Sequence, residues 1–248
     1  MSTQYDAIGT RYSSMTELPC QAPEKPSVLK VLGDVTGQNC LDLACGLGRW
    51  SHLLVEEGAS HVTGIDISEG MITSAREATR GLSEQQRSRL DFHTADCSKL
   101  SDAPGGPFDL VLAVWFLNYA SCHDEMLAMW QNIHHNLKPG GRFVALTSNT
   151  FCGLEGPFND KYGIMIANLG KTAEGGWKCR VTANTSPEKV EFENYHYGYE
   201  MYEKASAEAG MVELTWRSHT LPDDGRPDGF WDVYNLRPHF CLLTAKKP

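Results

Sequence analysis

The chain has 248 residues, enough for one globular unit with a full hydrophobic core, and its 41% hydrophobic and 21% charged residues are ordinary values for soluble domains. No apolar run approaches the length of a membrane span, and the start of the chain lacks the pattern of a secretory signal. Acidic residues outnumber basic ones by 31 to 22, for a formal net charge of −9, so nothing offsets phosphate repulsion and a nucleic-acid substrate is disfavoured.

The first strong pattern along the chain is the stretch NCLDLACGLGRWS, residues 39–51. Residues 40–43 are predicted to form a strand, and the amphipathic run 50–57 is predicted to form a helix. Small residues separate the two. Because glycine allows positive φ and a close approach of the backbone, this order of strand, turn and helix predicts a nucleotide-type cofactor site. The small positions of the turn are Ala44, Gly46 and Gly48.

Acidic residues stand at the ends of three successive predicted strands. Asp42 would repel the pyrophosphate that a dinucleotide places over such a turn, so it favours a cationic ligand. Asp66 follows the strand 62–65 and stands where a carboxylate can accept both ribose hydroxyls. Asp96 can accept a hydrogen bond from an exocyclic amine such as that of adenine. A ligand with an ammonium group, a ribose and an adenine but no phosphate fits all three.

Beyond the turn, predicted strands and helices alternate up to residue 147. Ser68 is the predicted N-cap of the helix 69–79, because its hydroxyl can accept from a free N–H there. Residues 148–198 are rich in glycine, asparagine and aromatics, which predicts a small β-rich cap. The later elements in chain order are strands 89–93 and 108–114, a helix 123–137 stopped by 138–141, a strand 142–147, cap strands 177–183 and 189–197, a helix 199–209, and strands 212–216 and 240–245.

Strands that alternate with helices imply parallel neighbours joined by right-handed crossovers. The expected fold is therefore α/β, a doubly wound Rossmann-like sheet that is mostly parallel. We expect a single domain over 1–248, with a cap insertion at about 148–198.

The segments LDLACGLG, GIDIS, TADCSKL, FDLVLAVWFLNYA and LKPGGR occur in the order and at the spacing of the class I S-adenosylmethionine-dependent methyltransferase family, which the chain resembles most strongly over residues 1–150. The resemblance implies S-adenosylmethionine as cofactor, S-adenosylhomocysteine as its product, and a last strand that runs antiparallel. The closing pattern, with Phe230-Trp231-Asp232, is similar to enzymes that methylate ring nitrogens of toxoflavin-like heterocycles.

The resemblance also implies which residues contact the cofactor. The segment 1–26 is expected to cover it, with Tyr12 as first choice and Tyr5 as second for the methionine end; a frayed terminus is the alternative. Met71 is expected near the adenine, although an apolar helix residue is also ordinary core. No metal ligand is expected. The implied set is Tyr5, Tyr12, Asp42, Ala44, Gly46, Gly48, Asp66, Ile67, Met71, Asp96, Cys97, Val114 and Trp115.

The segment after the fourth strand narrows the choice of methyl acceptor. This segment, AVWF at 113–116, lacks the Asn/Asp-Pro-Pro-Tyr/Phe signature of the family's amino methylases of bases and glutamine. It also lacks the carboxylate of the magnesium-dependent catechol type. A small neutral molecule held by aromatic rings is therefore expected, methylated at nitrogen or oxygen. The candidate rings are Trp115, Tyr119, Tyr162, Trp177, Tyr195, His196 and Trp231, although each can equally be cap core.

Methyl transfer from a sulfonium mainly needs alignment and exclusion of water. A base is required only where the attacking atom holds its proton at neutral pH. His196 is the best candidate for that base, with a structural histidine as the alternative, and Tyr119 can donate or accept near the methyl group.

Three rival functions remain on sequence alone. A methyltransferase-like enzyme can use the same cofactor site for isomerisation or cyclisation. A non-catalytic subunit would normally have lost one of the acids. The position of Asp66, twenty residues after Gly46, is also that of the acid in a nicotinamide-dependent oxidoreductase. Asp42, and Arg49 in place of a third glycine, disfavour that function.

The eight cysteines are spread singly, without a Cys-x-x-Cys pair, which favours reduced thiols over disulfides or structural zinc. We therefore expect a cytoplasmic enzyme, monomeric or homodimeric, that binds a small molecule and neither nucleic acid nor membrane.

Overall fold

The computed structural model of the chain describes residues 4–153 and 160–248. The start of the predicted covering segment and part of the predicted cap, 154–159, lie outside the described residues. Helices are α1 (Gln4–Ile8), α2 (Glu24–Leu32), α3 (Arg49–Glu56), α4 (Glu69–Ala78), α5 (Glu84–Arg87), α6 (His123–Asn136), α7 (Tyr199–Glu208) and α8 (Asp232–Leu236). Strands are β1 (Asn39–Leu43), β2 (His61–Asp66), β3 (Leu90–Thr94), β4 (Phe108–Val114), β5 (Leu137–Ser148), β6 (Ile164–Lys171), β7 (Trp177–Ala183), β8 (Val190–His196), β9 (Val212–Arg217) and β10 (Phe240–Lys246).

Seven strands form the main sheet in the order β3-β2-β1-β4-β5-β10-β9. The five strands from β3 to β5 are parallel, while β10 is antiparallel to both β5 and β9. The order reverses between β1 and β4, and in such sheets ligands bind beyond the carboxyl ends of the strands at this switch point. The predicted doubly wound sheet with an antiparallel last strand is confirmed.

Helices cover both faces of this sheet. Along β4, Leu110 and Leu112 belong to one apolar cluster and Val111 and Ala113 to the other, as a period of two requires for a strand buried on both sides. The first cluster includes residues of α2 and α3, and the second includes residues of α6 and α7. Among the described residues, no helix has the length and apolar character needed to cross a membrane.

A second sheet, β6-β7-β8, is antiparallel and confirms the predicted β-rich cap. The sequence predicted β7 and β8 but not β6, because only Ile164 of that strand is buried and no alternating apolar pattern marks it. The predicted start of β5 at Arg142 was also wrong. The strand begins at Leu137, and a register shift with a left-handed Gly140 (φ 75°) lets the chain pass through the glycines without leaving the sheet.

Candidate active site

The glycine turn follows β1 as predicted and has left-handed backbone at three positions. The φ angle is 57° at Ala44, 53° at Gly46 and 79° at Gly48. The N–H of Cys45 donates to the carbonyl of Ile65 at 3.0 Å, which ties the turn to the end of β2. Because this conformation costs a residue with a Cβ about 1–2 kcal/mol, the turn needs its glycines and Ala44 is held under strain.

Asp66, the last residue of β2, joins this turn to α4. Its two carboxylate oxygens accept backbone hydrogen bonds from Gly46 and Ser68, both at 2.9 Å. Ser68 caps α4 as predicted, since its hydroxyl accepts from the N–H of Met71 at 3.3 Å. Burial raises the pKa of Asp66, whose side chain is largely withdrawn from solvent. Each oxygen keeps a second lone pair, so the carboxylate can still accept two hydroxyl groups.

A cavity of about 110 Å³ lies beside the turn, and we call it the turn cavity. Most of the residues predicted to contact a cofactor surround it. The predicted residues on its wall are Tyr5, Tyr12, Ala44, Gly46, Asp66, Met71, Val114, Trp115 and Tyr119. The wall also contains residues that were not predicted, namely Met15, Thr16, Gln21, Glu24, Cys45, Leu47, Arg49 and Trp50.

Five predicted contacts do not line the turn cavity: Asp42, Gly48, Ile67, Asp96 and Cys97. Ile67 is 37% exposed, and Cys97 is buried beneath the strand ends. Burial raises the pKa of Asp96, but hydrogen bonds from Lys99 and Ser98 outweigh it and hold the pKa below its usual value. The carboxylate of Asp96 is therefore engaged by its own loop.

Asp42 is 1% exposed and points away from the turn cavity, toward α3. The hydroxyl of Ser51 donates to its Oδ2 at 2.6 Å, whereas Oδ1 has no hydrogen-bond partner among the described residues. Burial, with a smaller contribution from the charge of Asp66, raises the pKa of Asp42 to about 7. Asp42 thus joins β1 to α3 through Ser51 and does not line the turn cavity.

This buried carboxyl makes a prediction about pH and stability. Its folded pKa is raised above the unfolded value of about 3.9. The unfolded state therefore releases this proton first, and the free energy of unfolding falls as pH rises from about 4 to 7. The free energy of unfolding of Asp42→Asn, relative to that of wild type, should therefore rise by at least about 1 kcal/mol from pH 5 to pH 8. Urea unfolding without ligand at both pH values measures this difference. An equal difference at both pH values would contradict this assignment.

A second cavity of about 40 Å³ adjoins the first and lies against the cap sheet; we call it the cap cavity. Residues that are distant along the chain line it. Six residues face both cavities and form what we call the shared wall: Tyr12, Met15, Gln21, Glu24, Trp115 and Tyr119. The rest of the cap cavity is lined by Cys20, Ser148, Ile164, Ile166, Val181, Phe192, Asn194, His239 and Phe240.

Glu24 is the functional candidate that the sequence analysis missed. It begins α2, is 1% exposed, and accepts a hydrogen bond from Nε1 of Trp115 at 2.8 Å. Trp115 itself has a positive φ of 59° at the end of β4, a strained conformation that often marks a functional position. Burial raises the pKa of Glu24 to about 7, against the opposing effect of Arg49. A lone acid in a proline-rich stretch gave no sequence signal for this burial.

Three tyrosines meet above the turn cavity. The hydroxyl groups of Tyr5 and Tyr119 are hydrogen-bonded to each other, and the ring of Tyr5 packs edge-on against that of Tyr12 at 5.7 Å. Burial raises the pKa of all three phenols. They therefore remain protonated near neutral pH, and Tyr119 offers a neutral hydroxyl at the shared wall.

His196 lies farther from the shared wall than the predicted role of base suggests. It lines a third, smaller cavity, which meets the cap cavity at residues such as Asn194 and His239. Its Nε2 is 3.0 Å from the carbonyl oxygen of Cys152, so Nε2 carries the proton and donates. Burial lowers the pKa of His196. Only Nδ1 of the neutral ring is then free to accept a proton.

Most of the other predicted aromatic rings do not line the cap cavity. Tyr162 and Trp231 stack in parallel at 5.4 Å within an aromatic cluster that also contains Tyr234. Of the predicted set, only Trp115 and Tyr119 line the cap cavity.

The N-terminal segment is held over these cavities by hydrogen bonds from two residues of α1. The amide of Gln4 accepts from the N–H of Glu193 at 2.8 Å and donates to its carbonyl at 2.9 Å, which joins α1 to β8. Asp6 accepts from the hydroxyl of Ser68 at 2.7 Å, which joins α1 to α4. The segment therefore bridges the cap sheet and the main sheet above the turn cavity.

Loss of the link to β8 is expected to loosen this cover. Gln4→Ala removes both hydrogen bonds to Glu193, so we expect a ligand held in the turn cavity to dissociate about 3- to 10-fold faster, at about 1 kcal/mol for the pair of exposed bonds. Stopped-flow dissociation of S-adenosylhomocysteine measures this rate. Gln85→Ala, on exposed α5, is the matched control. Equal rates for both variants would contradict the covering role.

Comparison with known proteins agrees with this geometry. A family model described as "Methyltransferase domain" matches residues 40–141. A solved S-adenosylmethionine-dependent methyltransferase from Mesorhizobium loti superimposes with a TM-score of 0.65 at 25% identity, covering 91% of this chain and 98% of that one. The chain therefore carries a methyltransferase domain and has the fold of the class I S-adenosylmethionine-dependent methyltransferases. The family and cofactor predicted from the motifs are confirmed.

Curated relatives of this methyltransferase match over shorter stretches. A Haemophilus influenzae protein described as uncharacterized is 29% identical over 178 residues, 70% of this chain and 66% of its own length. A demethylmenaquinone methyltransferase from Lactococcus lactis is 31% identical over 127 residues, 50% of this chain and 48% of its own. This chain thus spans less than two thirds of either relative.

The groups on the wall of the turn cavity match the charges and hydrogen-bonding groups of S-adenosylmethionine. A Cβ added at Gly46 would meet no atom within 4 Å, so any side chain there would enter the cavity instead of packing against protein. Asp66 offers acceptors for hydroxyl groups, and the guanidinium of Arg49 offers a partner for a carboxylate. The carboxylates of Asp66 and Glu24 on the same wall favour the positive charge of a sulfonium and an ammonium.

Proposed function

We propose that this methyltransferase transfers the methyl group of S-adenosylmethionine to nitrogen or oxygen of a small aromatic or heterocyclic metabolite. The observation that carries the proposal is the shared wall: one side faces the cofactor-type turn cavity and the other an apolar cavity under the cap sheet. A cofactor in the turn cavity and an acceptor at the cap cavity, which at about 40 Å³ must widen to admit an aromatic ring, would meet beside Trp115 and Tyr119. The protein's main contribution is then alignment and exclusion of water.

The character of the cap cavity supports a flat, uncharged acceptor. Ile166, Val181 and Phe240 give it apolar sides, while Asn194 and His239 offer hydrogen bonds that can orient a heterocycle. Burial lowers the pKa of His239 to about 4, so its ring is neutral at pH 7. The relatives' names point to no single acceptor, since they include a demethylmenaquinone methyltransferase and a phosphoethanolamine N-methyltransferase.

Within this proposal, the thirteen cofactor contacts predicted from the motifs fall into two groups. Those on the wall of the turn cavity would touch the cofactor, with Asp66 on the ribose and Met71 beside the adenine. Those outside it, such as Asp42 and Gly48, would hold the wall in place. We further propose one domain, covered by 1–26 and capped by 148–198, that acts as a monomer or homodimer. All eight cysteines are free, which supports a reducing, cytoplasmic setting.

Two experiments test this function. Calorimetry should detect binding of S-adenosylmethionine and S-adenosylhomocysteine and none of NAD; tight binding of NAD alone would sink the proposal. Incubation of the protein with methyl-labelled cofactor and a panel of phenols, indoles and nitrogen heterocycles should then yield a labelled product. Rearranged but unlabelled products would instead favour isomerisation or cyclisation.

A further inference from the structure

Glu24 is a buried acid at the point where the two cavities meet. It is 1% exposed and belongs to the shared wall, so its carboxyl group faces both the turn cavity and the cap cavity. Removing a carboxylate from water is costly unless it is well paired, so a weakly paired buried acid in a cleft is a candidate functional group.

Glu24 accepts hydrogen bonds but has no strong ion pair. Its Oε1 accepts from Nε1 of Trp115 at 2.8 Å, a good hydrogen bond. Its Oε2 lies 3.5 Å from Nη1 of Arg49, which is at the outer limit of a hydrogen bond, and the same nitrogen is nearer to Gln21 at 3.3 Å. Arg49 is also 38% exposed, so solvent screens the ion pair. Trp115, Gln21 and this weak contact with Arg49 are thus the partners of Glu24, and its carboxylate can still accept a proton from a group in the cap cavity.

The other titratable groups of the cap cavity suit this task less well. Burial raises the pKa of the Tyr12 and Tyr119 phenols and of the Cys20 thiol, so these groups keep their protons at pH 7. The pKa of His239 is lowered by burial to about 4, which makes it a weak proton acceptor. That of Glu24 is raised by burial to about 7, close to the optimum for a base at neutral pH.

The groups that face Glu24 come from every element around it. Arg49 on α3 is the cation, and it lowers the pKa. Tyr12 and Cys20 face it from the N-terminal turns, and Tyr234 faces it from α8; all three stay neutral near pH 7 because burial raises their pKa. The ionisation of Glu24 is thus set by burial, Arg49 and its hydrogen bonds from Trp115 and Gln21.

We propose that Glu24 accepts the proton that the methyl acceptor loses, and that the acceptor is a small aromatic molecule with an N–H or O–H group. The inference rests on the proposed methyl transfer. The lone pair of the acceptor atom forms the bond to the methyl carbon, while the electrons of the broken carbon–sulfur bond remain on sulfur as the neutral thioether of S-adenosylhomocysteine. The proton of the acceptor passes to the carboxylate of Glu24 and leaves to solvent after product release.

Glu24→Gln tests this role with little change of shape, because the amide oxygen can still accept from Trp115. With phenol as acceptor, whose pKa is about 10, we expect a loss of about 10²- to 10⁴-fold in the rate of labelled methyl transfer. The wild-type rate should rise with an inflection near pH 7, and the variant should lose that inflection. With a nitrophenol that is already ionised at the assay pH, no proton remains to be accepted, so the loss should be less than about 5-fold. Glu84→Gln, an exposed site on neither cavity, is the matched control.

A second readout needs no turnover. Carbon-13 NMR of protein labelled at glutamate Cδ, in complex with S-adenosylhomocysteine, identifies Glu24 as the signal missing from Glu24→Gln. It should titrate near pH 7, and titration near the ordinary glutamate value of about 4 would overturn the inference. An unchanged pH profile in Glu24→Gln, or equal losses with both phenols, would also overturn it while leaving methyl transfer intact. Failure to bind S-adenosylhomocysteine would instead count against the proposed function itself.

Discussion

Replacement of Asp66 by asparagine is expected to weaken binding of S-adenosylhomocysteine about 100-fold in calorimetry. The two carboxylate oxygens each accept a backbone N–H at 2.9 Å, from Gly46 in the turn and from Ser68 at the start of α4. An amide has only one oxygen, so its NH₂ group would face one of these donors and leave it unpaired. Hydrogen bonds to a charged group contribute about 1.5–3 kcal/mol, and 1.4 kcal/mol is tenfold in affinity.

The control for this substitution is Asp124→Asn, which makes the same chemical change at a side chain that is 97% exposed. It should leave affinity within about twofold of wild type. Asp66→Asn should also unfold at lower urea concentration, because the turn and α4 lose a common anchor. Wild-type affinity in Asp66→Asn would contradict a role of this carboxylate in cofactor binding.

Gly48→Ala is expected mainly to lower stability, whereas Gly46→Ala is expected mainly to weaken cofactor binding. A Cβ at Gly48 would lie 2.9 Å from Cζ of Phe92 and 3.2 Å from Cβ of Ala75, and φ there is 79°. Overpacking costs about 1–3 kcal/mol and the left-handed backbone about 1–2 kcal/mol. We therefore expect Gly48→Ala to lose about 3 kcal/mol of unfolding free energy.

Gly46→Ala shares the backbone strain but not the crowding, since a Cβ there meets no atom within 4 Å. It should lose only about 1 kcal/mol of stability. Its methyl group would enter the turn cavity, so its affinity for S-adenosylhomocysteine should fall at least about tenfold. Urea unfolding and calorimetry of both variants measure the four values. The interpretation fails if Gly46→Ala is the less stable of the two.

The sequence predicted the site best where a residue type suited to cofactor binding stands at the end of a predicted strand. The apolar patterns predicted β1 and β2. The glycine turn and Asp66 predicted a site at their ends, because neighbouring parallel strands end at the same edge of the sheet. The same pattern cannot tell which way a strand-end acid points. Asp42 and Asp96 stand at the predicted strand ends, yet Ser51 and the loop of Lys99 engage them outside the turn cavity.

The cap cavity could not be predicted from sequence patterns for a different reason. Its wall joins Cys20, Trp115, Ile164 and Phe240, residues that are distant along the chain and meet only through tertiary packing. Glu24 lies in a proline-rich stretch without periodicity, so nothing marked it as buried. Strand β6 of the cap was not predicted because few of its residues are buried, so its sequence lacks an alternation of apolar and polar residues.

The central claim, that a cofactor and an acceptor meet at the shared wall, is tested most directly by a crystal structure of the complex with S-adenosylhomocysteine. The ribose hydroxyls should lie within hydrogen-bonding distance of Asp66, with sulfur directed at Trp115, Tyr119 and Glu24. A ligand bound elsewhere, or one whose sulfur points away from the cap cavity, would contradict the claim.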